Sequence, residues 1–387
     1  MKRIFFLVHS MNVGGVEKSL LSLLSVMPLD QYEVHVGLIH KKGGFLSFLP
    51  QQVIVHEVNC YEKYWQLIND PPLQNIKKML KSGQLVDALV HLLLYVHFKL
   101  TANRYWFYRF ILRKEDTFPI DFDLAVSFAG PSQMMDYYIC EKVKAKRKCG
   151  WIHFDVSKFG IDKGMTRLLY KQYDKIFIVS ETGKQIFDQI FPQFAHKTEL
   201  FRNIVSREQI LSMAGWGPSF DDTFDGKRIL TVGRVSEEKG QRVAIDAMRI
   251  LLDRGCNLRW YFVGEGTDLA YCKQLVKEYG MSDNVVFLGS QTNPYAYMKD
   301  CDIYMQPSRH EGFCITLAEA LCFDKPIVAT NFTGASEQLQ TRDNAVVVGM
   351  SAADISSGIL AVLDMGPTQV VHENAVDDLP KLTALLQ

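Results

Sequence analysis

A glycine-flanked turn in the second half of the chain carries two basic side chains. The segment GRVSEEKG, residues 233–240, follows the apolar run RILTV and precedes a helical pattern. Arg234 and Lys239 lie five residues apart across this turn, so both cationic ends can reach one anion near the start of the helix, where backbone N–H groups also point. A diphosphate fits this arrangement. The alternative is two solvated surface charges beside Glu237 and Glu238.

Two carboxylates stand further along, in the segment that begins HEGFCITLAEAL at residue 310. Glu311 falls in the loop after a predicted strand, and Glu319 falls eight residues later, inside the next predicted helix. Gly312 lies between them and allows a backbone to approach a ligand. We expect both carboxylates to face one ligand. The alternative for Glu319 is a capping box with Thr316, in which the carboxylate binds a backbone N–H at the helix start.

Two features of the first half could approach the same ligand. Gly15, in the pair Gly14-Gly15, falls between the first predicted strand and helix, where an anion can meet backbone amides; a simple tight turn is the alternative. His153 lies at the end of the apolar run CGWIHF, which predicts a strand. At a strand end, a histidine can act as an acid, a base or a hydrogen-bonding group; the alternative is a packed strand-end residue.

Asp121 and Asp123 precede a predicted strand with no further carboxylate nearby, so we do not expect a metal site there.

The elements that must position these residues alternate between short β-rich runs and helical patterns. The alternation occurs twice, which predicts two doubly wound α/β domains with parallel sheets and ligands at the carboxyl ends of the strands. The Gly-, Asp- and Ser-rich segment Ser212–Lys227 reads as a linker or surface loop. We therefore expect domains at 1–205 and 206–387, with the last helix packing back on the first domain. Residues 73–114 break the alternation as a helical insertion.

Composition excludes several classes of protein. The 387 residues are 48% hydrophobic and 22% charged, which is typical of a folded globular chain. The densest apolar stretch, Leu89–Phe98, is half the ~20 residues that a membrane span needs. The apolar run at the N-terminus is too short for a signal peptide. The eight cysteines include no CxxC pair. We expect an intracellular protein with free thiols.

The net charge of zero hides a difference between the two halves of the chain. Residues 1–205 contain 27 Lys and Arg against 19 Asp and Glu, and the remainder contains 16 against 24. Residues 76–114 hold eight basic residues, one acidic residue and many aromatics. This pattern predicts in-plane contact with an anionic membrane surface, to which the basic run Lys142–Lys148 adds. Nucleic acid is not expected, because no recognition motif accompanies the charge. The alternative is that Leu89–Phe98 is a core helix.

The segments GGVEKSLL, GRVSEEKG, VGEG and EGFCITLAE together resemble the motif set of the retaining glycosyltransferases of family 4. The Glu-x₇-Glu spacing from Glu311 to Glu319 is the most specific element of this resemblance. It implies the GT-B fold, in which two Rossmann-like domains face each other across a cleft. Two positions depart from the family pattern, because Asp324 and Ile204 stand where the family usually has glycine.

The resemblance also implies a role for each candidate residue. Arg234 and Lys239 would hold the donor diphosphate, and Gly15 would close over it. Glu311 would contact the donor sugar and Glu319 the ribose, while His153 would face the reacting sugar. The remaining positions would lie along the sugar, the phosphate or the base: Gly264, Gly312, Phe313, Cys314 and Ile315.

The implied activity is metal-independent transfer of a hexose, with retention, from a UDP-sugar to a saccharide acceptor. No cofactor is expected, because the cations replace a metal. The acceptor would be linked to polyprenyl diphosphate, and the enzyme would lie on the cytoplasmic face of the membrane in capsule, exopolysaccharide or lipopolysaccharide synthesis. Two alternatives remain open. One is a glycosidase, which also uses paired carboxylates, and the other is a catalytically silent nucleotide-sugar-binding partner.

Overall fold

The computed structural model describes residues 1–363, 365 and 378–386. The chain forms two compact units. The first contains Met1–Asn12, Leu23–Phe201 and the residues from Asp378 onward. The second contains Val13–Ser22 and the chain from Arg202 up to the residue before Asp378, so one of the crossings between the units falls between Phe201 and Arg202.

The first unit is built on a seven-stranded sheet in the order β3-β2-β1-β4-β5-β6-β7. Every strand pair in it is parallel. Its strands are β1 Lys2–Val8, β2 Tyr32–Leu38, β3 Ile54–Glu57, β4 Phe122–Gly130, β5 Ala145–Ile152, β6 Lys175–Ile178 and β7 Thr198–Leu200. The central strands are apolar on both faces, as β1 shows with five consecutive buried residues. This is the pattern of a parallel sheet covered by helices on both sides.

Eight helices accompany these strands in sequence. They are α1 Gly15–Val26, α2 Cys60–Asn69, α3 Pro72–Lys81, α4 Leu85–Thr101, α5 Tyr105–Ile111, α6 Gln133–Lys142, α7 Lys163–Leu169 and α8 Glu181–Ile190. The first residues of α1, up to Ser22, cluster with the second unit. Side-chain caps begin α7 and α8, where Asp162 accepts from Met165 N and Ser180 accepts from Gly183 N.

The second unit contains a six-stranded parallel sheet in the order β10-β9-β8-β11-β12-β13. Its strands are β8 Lys227–Val232, β9 Leu258–Val263, β10 Val285–Gly289, β11 Ile303–Gln306, β12 Ile327–Thr330 and β13 Ala345–Val348. Its helices are α9 Arg207–Met213, α10 Gln241–Asp253, α11 Leu269–Glu278, α12 Tyr295–Asp300, α13 Ile315–Ala320, α14 Ala335–Leu339 and α15 Ala352–Leu363. A short last helix, α16 Leu379–Thr383, belongs to the first unit, where Lys381 donates to the carbonyl of Leu200. The prediction of two parallel-sheet α/β domains is confirmed.

Helix α4 exposes apolar side chains that a core helix would bury. Helix α4 buries only Ala88 and His91. Its exposed apolar residues, between 40% and 81% accessible, are Leu85, Val86, Leu89, Leu92, Leu93, Val96 and Leu100. The reading of Leu89–Phe98 as a core helix is therefore wrong.

The aromatic residues beside α4 mostly face the protein. Tyr108 is buried, while Tyr105, Phe107 and Phe110 pack against the core of the first unit. Trp106 remains 45% exposed. The outward surface of this region is therefore aliphatic rather than aromatic. None of the helices in the described part of the chain is both long enough and apolar enough to span a membrane.

The basic run Lys142–Lys148 enters strand β5. Within it, Lys146 pairs with Asp123 at 2.7 Å and Arg147 pairs with Asp174 at 2.7 Å. These ion pairs satisfy part of the charge that the sequence suggested for a membrane surface, although both basic side chains remain largely exposed.

Candidate active site

The turn that carries Arg234 and Lys239 lies between β8 and α10. A short 3₁₀ turn, Glu237–Lys239, ends at Gly240, whose φ of 74° is left-handed. A Cβ atom at Gly240 would lie 1.9 Å from the carbonyl oxygen of Pro307. Only glycine fits both the backbone angle and this close approach. Gly240 therefore seats the turn directly against the loop that follows β11.

Lys239 and Glu311 form an ion pair in which Lys239 Nζ lies 2.7 Å from Glu311 Oε2. Both side chains are largely shielded from solvent. Burial opposes the charged form of Lys239, but the combined effect of Glu311, Cys314 and Glu238 outweighs it and raises the pKa of the ammonium group. The structure thus brings together the predicted diphosphate-binding lysine and the predicted sugar-binding carboxylate.

A chain of hydrogen bonds holds Glu311 from behind. Ser308 Oγ donates to Glu311 Oε1 at 2.7 Å, and Gln306 Nε2 donates to Ser308 Oγ at 2.8 Å. Gln306 Oε1 accepts from Tyr304 OH at 2.8 Å. Thr330 Oγ1 donates to the carbonyl of Ser308 at 2.6 Å. Sequence reasoning missed these residues, although the polar segment QPS, residues 306–308, continues from an apolar strand a few residues before Glu311 and is a signal of a supported site.

Arg234 behaves differently from Lys239. It is exposed, and among the described residues its guanidinium group makes no ion pair. Its backbone carbonyl accepts from Gln241 Nε2 at 3.0 Å, which ties the turn to the first residue of α10. The structure therefore leaves one cation of the predicted pair accessible to a ligand, while the other is held by a carboxylate.

The turn is backed by the loop after β9. Gly264 has a φ of 143°, and a Cβ atom there would lie 2.0 Å from the carbonyl oxygen of Gly233. Val235 N donates to the carbonyl of Glu265 at 3.0 Å. Packing therefore explains why a glycine stands at residue 264, since a side chain would collide with Gly233. The predicted place of Gly264 near the base of a nucleotide stays a prediction.

The segment from Gly312 to Ile315 leads into α13. Cys314 is buried at the N-cap in a left-handed conformation with φ of 65°, and Ile315 is the first helical residue. Gln338 Nε2 donates to the carbonyl of Phe313 and holds the loop. A Cβ atom on Gly15 would lie 3.7 Å from Ile315, so Gly15 lies directly beside this segment.

Glu319 is buried within α13 and bound by side chains distant in sequence. Its Oε1 accepts from Tyr295 OH at 2.6 Å, and Lys18 Nζ lies 3.8 Å away. Burial raises the pKa of Glu319, while Lys18 and the Tyr295 hydroxyl oppose that shift. Sequence reasoning missed Tyr295, for which there is no local signal, and Lys18, which lies within the GGVEKSLL motif.

The capping-box interpretation of Glu319 is wrong. The N-cap of α13 is Cys314, its side chain makes no cap hydrogen bond, and Thr316 already lies inside the helix. Glu319 sits one turn beyond the helix start, so its carboxylate binds Tyr295 instead of a backbone donor.

His153 belongs to the first unit and follows β5. Its ring lies 4.7 Å from that of Phe128 and stacks with Trp151 at 6.1 Å. Burial lowers the pKa of His153 to about 3, with a hydrogen bond to the Phe128 backbone acting in the opposite direction. His153 Nε2 is buried and has no partner among the described residues. The ring is therefore neutral at physiological pH and has an unused hydrogen-bonding atom.

Asp123, one of the two aspartates considered as a metal site, is already bound by protein groups. Asp123 Oδ2 accepts from Arg3 N at 2.9 Å, and its other oxygen binds Lys146. Within the described residues, no group of three or more His, Cys, Asp or Glu side chains is arranged to hold a metal ion.

Comparison with known proteins finds a family model that matches the part of the chain containing this site. Residues 222–375 match the model of the family described as glycosyl transferases group 1. The match covers less than half of the chain. This glycosyl transferase domain contains Arg234, Lys239, Gly264 and the segment from Glu311 to Glu319.

Similar proteins extend the match beyond this domain. A Campylobacter jejuni protein named N-acetylgalactosamine-N,N'-diacetylbacillosaminyl-diphospho-undecaprenol 4-alpha-N-acetylgalactosaminyltransferase is 25% identical over 88% of this chain and 83% of its own length. Protein CapJ of Staphylococcus aureus is 33% identical over 52% of this chain and 51% of its own length. Other relatives, named for amylovoran and lipopolysaccharide core biosynthesis, are matched over 37% and 42% of their lengths. The chain thus spans about half the length or less of most of these relatives.

Solved structures have a similar fold. The crystal structure of Anabaena Alr3699/HepE in complex with UDP and glucose superposes with a TM-score of 0.65 at 17% identity, covering 100% of this chain and 93% of that one. The expectation of the GT-B fold is thereby confirmed.

Proposed function

We propose that this protein is a retaining glycosyltransferase of family 4 that transfers a hexose from a UDP-sugar to a lipid-linked saccharide. The observation that carries the proposal is the Lys239–Glu311 ion pair, with the unpaired Arg234 on the same turn, inside a group 1 glycosyl transferase domain. We propose UDP as the nucleotide of the donor because the similar Anabaena structure contains UDP and glucose.

The leaving group of this reaction is a nucleoside diphosphate, whose negative charge grows as the glycosidic bond breaks. Lys239 carries three N–H donors, so it can hold Glu311 and a phosphate oxygen at the same time. Its raised pKa keeps it charged at neutral pH. Arg234 adds a second cation that needs no rearrangement before it binds. With one cation held by Glu311 and a second one accessible on the same turn, the reaction proceeds without a metal ion.

The two carboxylates have separate roles. Glu311 accepts hydrogen bonds from the donor sugar, and Glu319 accepts them from the ribose. Tyr295 and Lys18 orient the Glu319 carboxylate. The leaving phosphate assists deprotonation of the acceptor on the same face, which accounts for retention without a carboxylate nucleophile.

These contacts disfavour the glycosidase alternative. A retaining glycosidase needs two carboxylates about 5–5.5 Å apart, one of them free to attack the sugar. Here Glu311 is paired with Lys239 and Glu319 is buried against Tyr295. Neither is free to act as the nucleophile.

The acceptor is a saccharide linked to polyprenyl diphosphate, in the synthesis of a cell-surface polysaccharide. Support comes from the Campylobacter relative, whose name specifies a diphospho-undecaprenol acceptor. An enzyme that uses such a substrate must work at the membrane surface, so we place it peripherally on the cytoplasmic face.

The aliphatic face of α4 is the part of the first unit suited to that surface. At 3.6 residues per turn, its seven exposed apolar side chains fall within about a third of the helix circumference. The net charge of +7 over residues 76–114 complements an anionic leaflet. An apolar face flanked by basic residues is the pattern of a helix that lies in the membrane interface.

Co-sedimentation with vesicles tests the membrane contact. We expect binding to vesicles of phosphatidylglycerol and phosphatidylcholine at low salt, weaker binding to phosphatidylcholine alone, and loss of binding for Leu89→Asp/Leu93→Asp. The matched control is Leu168→Asp/Leu211→Asp, which changes two exposed leucines outside α4. Equal binding by the two double variants would exclude α4 as the contact.

A donor screen tests the activity itself. Nucleotide release is measured for UDP-, GDP- and ADP-hexoses, with and without polyprenyl-diphosphate-linked saccharides. We expect release from a UDP-hexose that increases when the acceptor is added and persists in a strong chelator. Nucleotide binding without turnover would instead favour the catalytically silent partner.

A further inference from the structure

Lys18 lies in the GGVEKSLL segment near the N-terminus, yet it belongs to the second unit, which contains Val13–Ser22. The start of α1 is fixed on either side of this lysine. Gly15 lies directly beside the first residue of α13, and Ser19 Oγ donates to Asn203 Oδ1 at 2.6 Å. Ser19 is buried. The ammonium group of Lys18 is therefore held close to α13.

The ammonium group meets two residues of the candidate donor site. Lys18 Nζ lies 3.8 Å from Glu319 Oε1 and 4.9 Å from the centroid of the Tyr295 ring, and the Tyr295 hydroxyl donates to the same Oε1 at 2.6 Å. Both charged side chains are largely shielded from solvent, so water and salt screen the pair little. Among the described residues, no protein group binds Glu319 Oε2. One oxygen of the carboxylate is thus engaged, and the other is available to a ligand.

The charge of Glu319 depends on Lys18. Burial raises the pKa of this carboxyl, and Lys18 acts against that rise, followed by the Tyr295 hydroxyl. Tyr304 and Cys322 also lie near the carboxylate, and burial raises the pKa of each, to about 12 for Cys322. Burial raises the pKa of Tyr295 as well. These three groups are therefore neutral at physiological pH, and Lys18 supplies the positive charge that acts on Glu319.

The proposed contact with the ribose needs Glu319 in its ionised form. An ionised carboxylate is an acceptor on both oxygens, whereas a protonated one turns one oxygen into a donor and loses the stronger, charge-assisted hydrogen bonds. We propose that Lys18 is a positioning residue of the donor site, which keeps Glu319 as a carboxylate that accepts hydrogen bonds from the ribose. This inference rests on the proposed function for the role of Glu319. It gives the GGVEKSLL segment a second role, besides the approach of Gly15 to the diphosphate.

Calorimetric titration with UDP at pH 8.5 and pH 6.5 tests this role. Lys18→Met removes the charge and keeps a long side chain. Between the two pH values its UDP affinity should fall roughly tenfold more than that of the wild type, because Glu319 takes up a proton. Lys18→Arg retains the charge and should follow the wild type. The matched control is Lys227→Met, which removes a largely exposed lysine of the same unit that pairs with Asp302 at 2.9 Å; it should also follow the wild type.

A second background separates an effect through Glu319 from direct contact between Lys18 and the nucleotide. If Lys18 acts through the carboxylate, adding Lys18→Met to Glu319→Gln should change the UDP affinity less than twofold at either pH. A loss as large as in the wild-type background would mean that Lys18 binds the nucleotide itself, and the proposal would be wrong.

Carbon-13 NMR of the glutamate side-chain carboxyls, without nucleotide, distinguishes this inference from the proposed function. The signal of Glu319 is assigned by its absence in Glu319→Gln. We expect its titration midpoint to lie at higher pH in Lys18→Met than in the wild type and in Lys18→Arg. An equal midpoint in all three proteins overturns the role of Lys18, even where UDP binds. A raised midpoint in a protein that does not bind UDP leaves Lys18 in control of the Glu319 charge, and the proposed transferase fails.

Discussion

Acidification should destabilise the first unit through His153. Burial holds the folded pKa of this imidazole at about 3, against an ordinary value of 6.5. Between pH 6.5 and about 3, the imidazole of the unfolded chain binds a proton that the imidazole of the folded chain does not bind. The free energy of unfolding therefore decreases as the pH falls below 6.5. At pH 5 this single group should lower the free energy of unfolding by about 2 kcal/mol relative to pH 8. Any folded pKa below about 4 gives nearly the same figure.

The assay compares the wild type with His153→Gln, which has no titrating ring at this position. Urea unfolding is followed by tryptophan fluorescence at pH 8 and pH 5, since Trp151 is buried beside His153. The other titrating groups are common to both proteins, so they cancel in the difference. We expect the wild type to lose about 2 kcal/mol more than the variant between the two pH values.

Two results would refute this reasoning. One is an equal pH dependence in both proteins, and the other is an NMR titration of the His153 ring with a midpoint near 6.5. A neutral ring also limits its role, because His153 can only exchange a hydrogen bond with a substrate through the unpartnered Nε2. The acid limb of the activity profile should therefore be unchanged in His153→Gln.

Further predictions concern the donor site. Glu311→Gln should abolish transfer while UDP affinity, measured by calorimetry, stays near wild type, because the carboxylate serves the sugar; normal turnover would remove it from the site. Glu319→Ala should weaken UDP binding by roughly 1.5–3 kcal/mol through lost charge-assisted hydrogen bonds, and a change in melting temperature alone would leave it a structural role only. Lys239→Ala should lower kcat on the order of 10²–10³-fold, a loss that added Mg²⁺ should not restore. Gly240→Ala should destabilise the second unit by at least 1 kcal/mol in denaturant melts, because its Cβ would collide with Pro307 O; an unchanged midpoint would mean that the turn can relax.

Much of the second unit could be predicted from its sequence because the determining signals are local. The helical pattern of residues 241–253 forms α10, Gln241–Asp253, and the apolar run of residues 258–263 forms β9, Leu258–Val263. Hydrophobic periodicity and flanking glycines act within a few residues, and no distant contact overrides them here. The same local signals place Lys239 just before a helix and Glu311 just after a strand.

Strand β5 shows where such signals fail. Its first half is the charged sequence AKRK, which lacks the alternation of apolar residues that predicts a strand and favours a basic surface cluster instead. The charges are tolerated there because Lys146 and Arg147 pair with Asp123 and Asp174 at the start of the strand. Those partners come from other parts of the chain.

The sequence by itself determined the order of strands and helices, the motif-bearing turns and the family resemblance, because each depends on neighbours along the chain. Only the tertiary structure decided what the charged and apolar side chains face. Glu319 meets Tyr295 and Lys18 from separate elements. Helix α4 is apolar nearly all round, so its periodicity cannot select a buried face. The packing of its neighbours buries Ala88 and His91 and leaves seven aliphatic side chains in solvent.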